Sequence, residues 1–279
     1  MIGGNQMLKM TGKEVADKIY YEIKQSELNN LLEGNLIAIV TVGNDEASKI
    51  YVRNKIKRVE NLGGKVLHIT LSEDVDYKNF KRVIEQLNDN YYVKGIIIQK
   101  PLPKHLEVRK IDELISLDKD VDGFRDESWF VPCTPLAVMK MLKYYNIAYE
   151  GKFVVIAGRS NLVSKPLANL LMEKNCTVVM IHSHTPVSLV HSLIRECDIF
   201  ISAIGKPHYW TSELFKGLQF KKHAVIDIGI SRDGEGKIKG DIHPDVYRYF
   251  DAYTPVPGGV GVVTVATFVG NCVEACTPF

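Results

Sequence analysis

A glycine turn between a strand-like run and a helix-like run is the first candidate for chemistry in this chain. Gly158-Arg159-Ser160 follows Phe153–Ala157, an apolar and β-branched run, and apolar residues take helical spacing from Pro166 onward. Such a turn presents free backbone N–H groups and the positive end of a helix dipole, which suit a phosphate. The loop lacks the GxGxxG fingerprint, because Ser160, Val163 and Ser164 stand where further glycines would, so an ordinary connection is the alternative.

The residues after the next predicted strand bear on which nucleotide this turn would take. Thr177–Ile181 is followed by His182-Ser183-His184-Thr185, without the acidic residue that binds the ribose hydroxyls of NAD. Hydroxyls and imidazoles there would tolerate a 2′-phosphate, and Arg159 would supply a planar cation. The pattern therefore favours NADP over NAD. The alternative is a solvated loop arginine with surface histidines.

Polar side chains in the first half of the chain are also placed where ligands bind. Tyr51 and Lys55 lie four apart, on one face of a predicted helix over Ala47–Leu62. Gln99 ends a predicted buried strand, and the carboxyl ends of parallel strands are where α/β ligand sites form. A helical Tyr–Lys pair is more often a plain surface feature, as are the charged residues around it.

Two turns complete the set of candidates. Asp120 and Asp122 lie in the turn-rich segment Asp118–Phe124, where Asx turns are the plain interpretation of both carboxylates. The loop Thr254–Gly261 is rich in proline and then in glycine. Its glycines permit close backbone approach to a ligand, or a hinge between domains.

The order of predicted elements indicates how these residues are positioned. An amphipathic helix over Leu8–Asn30 precedes an alternation of strands and helices, which predicts parallel strands with crossover helices. The predicted strands are Leu36–Val42, Val66–Leu71 and Gly95–Gln99, and the helices between them are Ala47–Leu62 and Tyr77–Asn88.

A second α/β series follows a predicted helix over Pro135–Tyr145. Its predicted strands are Phe153–Ala157, Thr177–Ile181, Asp198–Ile204 and Ala224–Gly229. Four buried strands so closely spaced predict a compact, doubly wound parallel sheet. The tail Val262–Cys276 predicts a helix that packs back on the first domain.

Composition limits the class of protein. The chain has 279 residues, 46% of them hydrophobic, and a net charge of +2, which predicts two globular domains and gives no case for nucleic acid. No apolar run approaches the length of a membrane span, so no membrane partner is expected. Five cysteines without a CxxC pair predict a reducing, cytoplasmic environment, and no metal-ligand cluster is evident.

Together these motifs resemble one family, the bifunctional methylenetetrahydrofolate dehydrogenase/methenyltetrahydrofolate cyclohydrolases. The resemblance spans about Leu8 to Cys276, nearly the whole chain. It rests on Tyr51-Val-Arg-Asn-Lys55, Gly95-Ile-Ile-Ile-Gln99 with Pro101-Leu-Pro103, Lys119-Asp-Val-Asp-Gly-Phe124, Cys133-Thr-Pro135, Gly158-Arg-Ser-Asn161, Gly205-Lys-Pro207 and Thr254-Pro-Val-Pro-Gly-Gly-Val-Gly261.

The resemblance implies two α/β domains with a cleft between them, the second a Rossmann-like doubly wound parallel sheet. Residues 1–132 with 262–279 would form the folate-binding catalytic domain, and residues 133–261 would form the NADP-binding domain. It also implies a homodimer through the second domain.

The resemblance further assigns roles to single positions. Lys55 would be the catalytic lysine, hydrogen-bonded to Gln99, with Tyr51 stacked on the aminobenzoate ring and Asp122 on the pterin amino group. Further folate contacts would be Pro101, Leu102, Gly258 and Gly259, the two glycines in a loop that closes over the substrate. The cofactor contacts would be Gly158, Arg159, Ser160, Ser183 and Ile230.

These residue types suit the implied reactions. Loss of hydride from the methylene bridge spreads positive charge over two folate nitrogens, which a permanent cation alongside would oppose. An uncharged lysine amine would not, and it would also serve as base and acid when water opens the methenyl ring. Gln99 would orient this amine without adding charge.

Some positions depart from the family pattern and leave alternatives open. Lys100 stands where a leucine is usual, and it points either into the site or, as strand alternation favours, away from it. Ser164 replaces a usual glycine of the cofactor loop, Val262-Val263 a usual Pro-Met, and Arg125-Asp126 a usual His-Pro. The alternatives are an enzyme with one of the two activities, or a dinucleotide-binding module without catalysis.

Overall fold

The computed structural model describes residues 7–26, 30–107, 110–218 and 222–277. The chain divides into two compact α/β units. The first unit comprises Lys18–Cys133 and Val265–Phe279, and the second comprises Met1–Asp17 and Thr134–Thr264, in each case as far as these residues are described. The predicted fold class of two α/β domains is confirmed.

The elements alternate along most of the chain. The strands are β1 (Leu8–Lys9), β2 (Leu36–Val42), β3 (Lys65–Leu71), β4 (Val93–Ile98), β5 (Phe153–Ala157), β6 (Thr177–Ile181), β7 (Ile199–Ser202), β8 (Lys222–Asp227), β9 (Ser231–Arg232), β10 (Ile238–Lys239) and β11 (Phe250–Tyr253). The α-helices are α1 (Gly12–Gln25), α2 (Glu46–Glu60), α3 (Tyr77–Asp89), α4 (Lys104–Glu107), α5 (Cys133–Tyr144), α6 (Ser164–Glu173), α7 (Val187–Glu196) and α8 (Val260–Ala275).

The first unit is built on a parallel three-stranded sheet in the order β3-β2-β4. The central strand β2 is buried on both faces because its residues are apolar and mostly β-branched. Helix α3 buries Phe80, Ile84 and Leu87 in the same core as β2 and β4. This packing fixes the carboxyl ends of the strands, where the candidate Gln99 follows β4.

The second unit is built on six parallel strands in the order β1-β11-β8-β7-β5-β6. The chain passes from β5 to β6 on one side, and then to β7 on the other side of β5. In a doubly wound sheet this reversal opens a crevice at the carboxyl ends of the two strands, here β5 and β7, where ligands bind. The Gly158 turn directly follows β5.

Most predicted elements are confirmed. The predicted and observed bounds coincide for β2, β5 and β6, and the other predicted strands end within two residues of the observed ones. The predicted tail helix is also present, as α8. None of the helices in the described ranges has both the length and the apolar character that crossing a membrane requires.

The amino-terminal prediction is wrong in part. The helix predicted over Leu8–Asn30 is α1, Gly12–Gln25, and residues 27–29 lie outside the described ranges. Leu8 and Lys9 instead form β1, because they pair in parallel with Ala252 and Tyr253 of β11. These two short strands extend the predicted four-stranded sheet to six. Residues 7–17 belong to the second unit. The predicted boundary, in contrast, assigned residues 1–132 to the first domain.

Candidate active site

The Lys55 side chain on α2 ends in a buried ion pair with Asp122. Its ammonium nitrogen lies 3.3 Å from Oδ1 and 3.1 Å from Oδ2 of the carboxylate, and the two residues are 67 positions apart in sequence. Both side chains are 9% exposed. The nitrogen also lies 4.9 Å from the centroid of the Phe268 ring on α8. Two candidates chosen from distant motifs therefore meet in the first unit.

Helix α8 also supports the turn that carries Asp122. The buried Asn271 carboxamide donates to the Val121 carbonyl at 2.9 Å. The Cys133 amide donates to the Asp122 carbonyl at 3.3 Å, and burial raises the pKa of the Cys133 thiol well above its usual range. Sequence reasoning missed Phe268 and Asn271. The available signal was a polar residue within the apolar tail helix.

Asp120, the other carboxylate of this turn, has a structural role. It is 1% exposed, and one carboxylate oxygen accepts the Arg125 N–H at 2.9 Å. Burial raises the pKa of Asp120. Gly123 closes the turn with a φ of 72°, and a Cβ there would lie 2.6 Å from the Phe130 carbonyl oxygen. The plain turn interpretation therefore suits Asp120 but not Asp122.

Gln99 does not make the hydrogen bond to Lys55 that was predicted. Its carboxamide donates to the Lys100 carbonyl at 2.9 Å, whereas the Lys55 ammonium donates to the Asp122 carboxylate. The buried Oε1 of Gln99 has no hydrogen-bond partner among the described residues. The Lys100 ammonium lies 3.0 Å from Asp112. Gln99 thus holds an unused acceptor.

The remaining predicted folate contacts differ in exposure. Tyr51 is half-buried, and burial raises the pKa of its phenol. Pro101 is exposed, but the Leu102 side chain is 5% exposed and belongs to the core of the first unit. A direct substrate contact by the Leu102 side chain would therefore require that core to open.

A pocket of about 320 Å³ lies at the carboxyl ends of the three strands of the first unit. Lys49, Val52, Arg53 and Ile56 line one side, and their i, i+3, i+4 and i+7 spacing is one face of α2. The rest of the lining is Thr41, Val42, Gly43, Asn44, Asp45, His68, Thr70, Gln99 and Pro101. The lining combines apolar side chains with two cations, Lys49 and Arg53, and one anion, Asp45.

Gly258 and Gly259 lie in the second unit, in the loop between β11 and α8. Gly258 has a φ of 99°, and its carbonyl accepts the Gly12 N–H at 2.7 Å. A Cβ on Gly12 would lie 2.1 Å from the Gly259 carbonyl oxygen. The loop is therefore packed tightly against the start of α1.

The Gly158 turn forms a cradle at the carboxyl end of β5. Gly158 has a φ of 128°, and a Cβ there would lie 2.7 Å from the Ala203 carbonyl oxygen and 2.7 Å from Ser164 Oγ. Only glycine suits this position, both for its conformation and for space. The turn thereby lies directly against the residue that follows β7, at the switch point of the sheet.

Two serines define the start of α6. Ser160 Oγ accepts the N–H groups of Val163 and Ser164, each at 3.2 Å, which explains why the helix begins two residues before the predicted Pro166. Ser164 is fully buried, and its hydroxyl has no partner among the described residues. It underlies the glycine turn.

The other predicted cofactor contacts lie at the same edge of the sheet. Ser183 follows β6 and Ile230 follows β8, and both are exposed, as is Arg159. The His184 N–H donates to His182 Nδ1 at 3.2 Å, which shapes the loop after β6. The cradle, the exposed cation and the hydroxyl-bearing loop fit a phosphorylated dinucleotide.

The fold and these sites define a class, an α/β enzyme with a dinucleotide-binding unit and a separate unit that carries a buried lysine–carboxylate pair. Residues 10–122 match the tetrahydrofolate dehydrogenase/cyclohydrolase catalytic domain, and residues 132–278 match the NAD(P)-binding domain of the same family. The chain belongs to the tetrahydrofolate dehydrogenase/cyclohydrolase family.

Individual relatives agree with this assignment. The bifunctional protein FolD of Agathobacter rectalis is 40% identical over 276 residues, which cover 95% of this chain and 97% of the relative. The crystal structure of the FolD enzyme from Campylobacter jejuni has a TM-score of 0.87 and 37% identity, and the match covers 97% of this chain and 99% of that one. The FolD structure from Trypanosoma brucei, complexed with NADP cofactor and inhibitor, has a TM-score of 0.86 and 29% identity, with 97% of each chain covered.

The family assignment confirms the sequence-based resemblance and the prediction of a bifunctional enzyme. The chain is a dehydrogenase and cyclohydrolase of one-carbon folate metabolism. The predicted alternative, a dinucleotide-binding module without catalysis, is not supported.

Proposed function

We propose that the buried Lys55–Asp122 pair is the centre at which this enzyme transforms its folate substrate. The enzyme oxidises 5,10-methylenetetrahydrofolate to the 5,10-methenyl form with NADP, and then hydrolyses that product to 10-formyltetrahydrofolate. The observation that carries the proposal is the bidentate approach of the Lys55 ammonium to Asp122, at 3.1 and 3.3 Å.

The pair is arranged to change partners when substrate binds. Asp122 is the counter-ion of the Lys55 ammonium, whereas the chemistry calls for an uncharged amine. The amino group of a pterin ring would compete with Lys55 for the Asp122 carboxylate. Lys55 would then lose its counter-ion while a positive charge develops nearby, and both changes favour the neutral amine.

In the first reaction the C–H bond of the methylene bridge breaks and its electron pair leaves with the hydrogen. NADP, when bound, supplies the hydride acceptor. The residual positive charge is shared by the two folate nitrogens that flank the carbon. Lys55 contributes by being uncharged at that moment, since a cation beside the bridge would raise the barrier.

In the second reaction water adds to the methenyl carbon and the five-membered ring opens. A neutral Lys55 accepts a proton from the water as the C–O bond forms. It then returns a proton to the folate nitrogen as the C–N bond breaks, and the remaining proton goes to solvent. Tyr51, half-buried beside Lys55 on α2, would orient the substrate ring by stacking.

The cofactor is NADP, bound at the carboxyl edge of the second sheet. Gly158 allows close backbone approach, and the Arg159 guanidinium with the Ser183 hydroxyl suits a 2′-phosphate. Ile230 would provide an apolar contact. Replacing Arg159 with Ser should therefore raise the KM for NADP about tenfold or more and change the KM for NAD little. An equal effect on both cofactors would contradict this role.

The pocket beside Gln99 and Pro101 supports a place for the acidic tail of the folate. Lys49 and Arg53 are cations at its mouth, partly offset by Asp45. Folate carboxylates would be attracted to this side of α2, so Arg53→Gln should raise the KM for folate substrates. Folates lacking the glutamate should not be affected by this substitution.

A direct assay tests the function. NADP reduction with methylenetetrahydrofolate and hydrolysis of the methenyl compound should be measured separately on one preparation, and both rates are expected. Hydrolysis without NADP reduction would favour the single-activity alternative. Absence of both activities in folded protein would contradict the proposal.

We also propose that the enzyme is a homodimer through its second unit and works in the cytoplasm. Strand β6 lies at one edge of the six-stranded sheet, and this strand and the helices before and after it carry exposed apolar side chains: Met172, Met180, Val187 and Leu189. Sedimentation should give a dimer that Met180→Lys weakens. A monomeric wild-type protein at micromolar concentration would contradict the proposed dimer.

A further inference from the structure

Two buried carboxylates lie side by side at the carboxyl edge of the six-stranded sheet. Asp227 is the last residue of β8, and Asp241 follows β10. They are 1% and 0% exposed. The Asp241 carboxylate occupies the space that a side chain on Gly229 would need, and the Asp227 carboxylate occupies the space that a side chain on Gly240 would need. A Cβ on Gly229 would lie 2.0 Å from an Asp241 oxygen, and a Cβ on Gly240 would lie 2.0 Å from an Asp227 oxygen.

Asp241 holds the loop that follows β7. Its Oδ2 accepts the Ser202 hydroxyl at 2.7 Å and the Ile204 N–H at 2.7 Å, and its Oδ1 accepts the Lys206 N–H at 2.8 Å. The Trp210 indole in turn donates to the Ser202 hydroxyl at 2.9 Å. Three donors from one short segment thus converge on a single carboxylate.

Asp227 holds both the loop that follows β8 and the backbone of Asp241. Its Oδ1 accepts the N–H groups of Gly229 and Asp241 at 3.0 and 3.1 Å, and its Oδ2 accepts the Ile242 N–H at 2.9 Å. The two aspartates therefore form one interlocked unit, in which Asp227 places Asp241 and Asp241 places residues 204–206.

Burying two carboxylates side by side destabilises the folded state. Burial, with the Asp241 charge beside it, raises the pKa of Asp227 to about 7. The loops that the pair fixes lie at the switch point of the sheet, where the Ala203 carbonyl oxygen would lie 2.7 Å from a Cβ on Gly158. The segment after Asp227 leads to Ile230, the proposed cofactor contact.

We propose that Asp241, supported by Asp227, is a positioning residue for the dinucleotide, because it sets the backbone of residues 204–206 that forms one wall of the crevice between β5 and β7. The inference rests on the proposed cofactor site. It assigns Asp241 no contact with the substrate or with the reacting atoms.

Asp241→Asn tests this role, because asparagine keeps the size of the side chain but turns one acceptor into a donor that faces a backbone N–H. The KM for NADP should rise about tenfold in Asp241→Asn and more in Asp241→Ala. Hydrolysis of methenyltetrahydrofolate, which uses no NADP, should stay within about twofold of wild type. A merely structural role would lower both activities together.

The matched control is Asp198→Asn. Asp198 immediately precedes β7, at the amino-terminal edge of the same sheet, and its carboxylate accepts the Phe153 N–H at 2.9 Å. This variant should leave the KM for NADP unchanged. If the KM for NADP rose as much as in Asp241→Asn, the loss of any carboxylate acceptor at this sheet would have the same effect. That result would overturn the inference.

Calorimetric titration of NADP into each variant separates this inference from the proposed function, because binding needs no turnover. Weaker NADP binding by Asp241→Asn than by wild type supports the inference even if the enzyme lacks one of its activities. Unchanged NADP affinity in Asp241→Asn, with a melting temperature close to that of wild type, would overturn it. If Asp241→Ala does not fold, Asp241→Asn alone decides.

Discussion

The two units each bury a pair of charged side chains, and the pairs differ in how fully they are satisfied. Lys55 and Asp122 carry opposite charges and lie 3.1 Å apart at closest. Asp227 and Asp241 carry like charges, and six N–H or O–H donors converge on their oxygens. In the first pair each charge faces the opposite charge, whereas the second pair is held by backbone N–H groups and the Ser202 hydroxyl.

The two sets of partners match the roles that we propose for the two pairs. The catalytic role that we propose for Lys55 requires a change of protonation state, and therefore a counter-ion that substrate can displace. The positioning role that we propose for Asp241 requires a fixed backbone, and its carboxylate accepts backbone N–H groups of that segment.

The largest effect is expected at Lys55. Lys55→Met removes the proposed base and should lower both oxidation and hydrolysis about 10³-fold, measured on one preparation. The matched control is Lys57→Met, an exposed lysine on the same helix, which should change neither rate. Full retention of both activities in Lys55→Met would contradict the mechanism whatever the fold.

A stability effect is expected from the like-charge pair. Asp227 has its pKa raised to about 7 in the folded protein, against 3.8 for the ordinary carboxyl group, with Asp241 and Tyr247 as its charged or titratable neighbours. Between about pH 4 and 7 the folded state therefore binds more protons than the unfolded state. As pH rises through this window, the Asp227 carboxyl lowers the unfolding free energy by about 4 kcal/mol in all.

The measurement compares chemical denaturation of wild type and Asp227→Asn at several pH values. Asparagine does not titrate, so the unfolding free energy of wild type minus that of the variant should fall as pH rises from 5 through 7 and level off at about pH 8, above the raised pKa. A difference that is constant over this range would contradict the raised pKa.

A smaller effect is expected at Asp122. Asp122→Ala removes the proposed anchor of the pterin amino group and should raise the Kd for folate about 30-fold while leaving NADP affinity unchanged. The matched control is Asp126→Ala, an exposed carboxylate shortly after this turn. Equal losses of folate and NADP affinity in Asp122→Ala would contradict the assignment.

The smallest effect is expected at Ser164. Its buried hydroxyl has no partner among the described residues, so Ser164→Ala should raise the unfolding free energy by up to about 1 kcal/mol. The KM for NADP should stay unchanged, because backbone groups of the turn make the approach. A clear rise in that KM would indicate that the hydroxyl is kept for the cofactor.

Much of the site could be predicted because it depends on local patterns. Helical spacing puts Tyr51 and Lys55 on one helix, and a β-branched run places Gly158 at the end of a strand. The strands β1 and β11 escaped prediction, because a strand of two to four residues carries too little periodicity. The Gln99–Lys55 hydrogen bond was predicted wrongly, since the backbone carbonyl of Lys100 and the Asp122 carboxylate are closer partners in the folded chain.

The two α/β units could be predicted from the sequence alone, as could the glycine turn, the family and the candidate Lys55. Each of these is encoded in contiguous residues. Only the tertiary structure decided that Asp122 rather than Gln99 pairs with Lys55, and that Asp241 supports a loop 35 residues earlier in the chain. Such partners are chosen by which donors and acceptors a fold brings within 3 Å of each other, and sequence spacing does not report that distance.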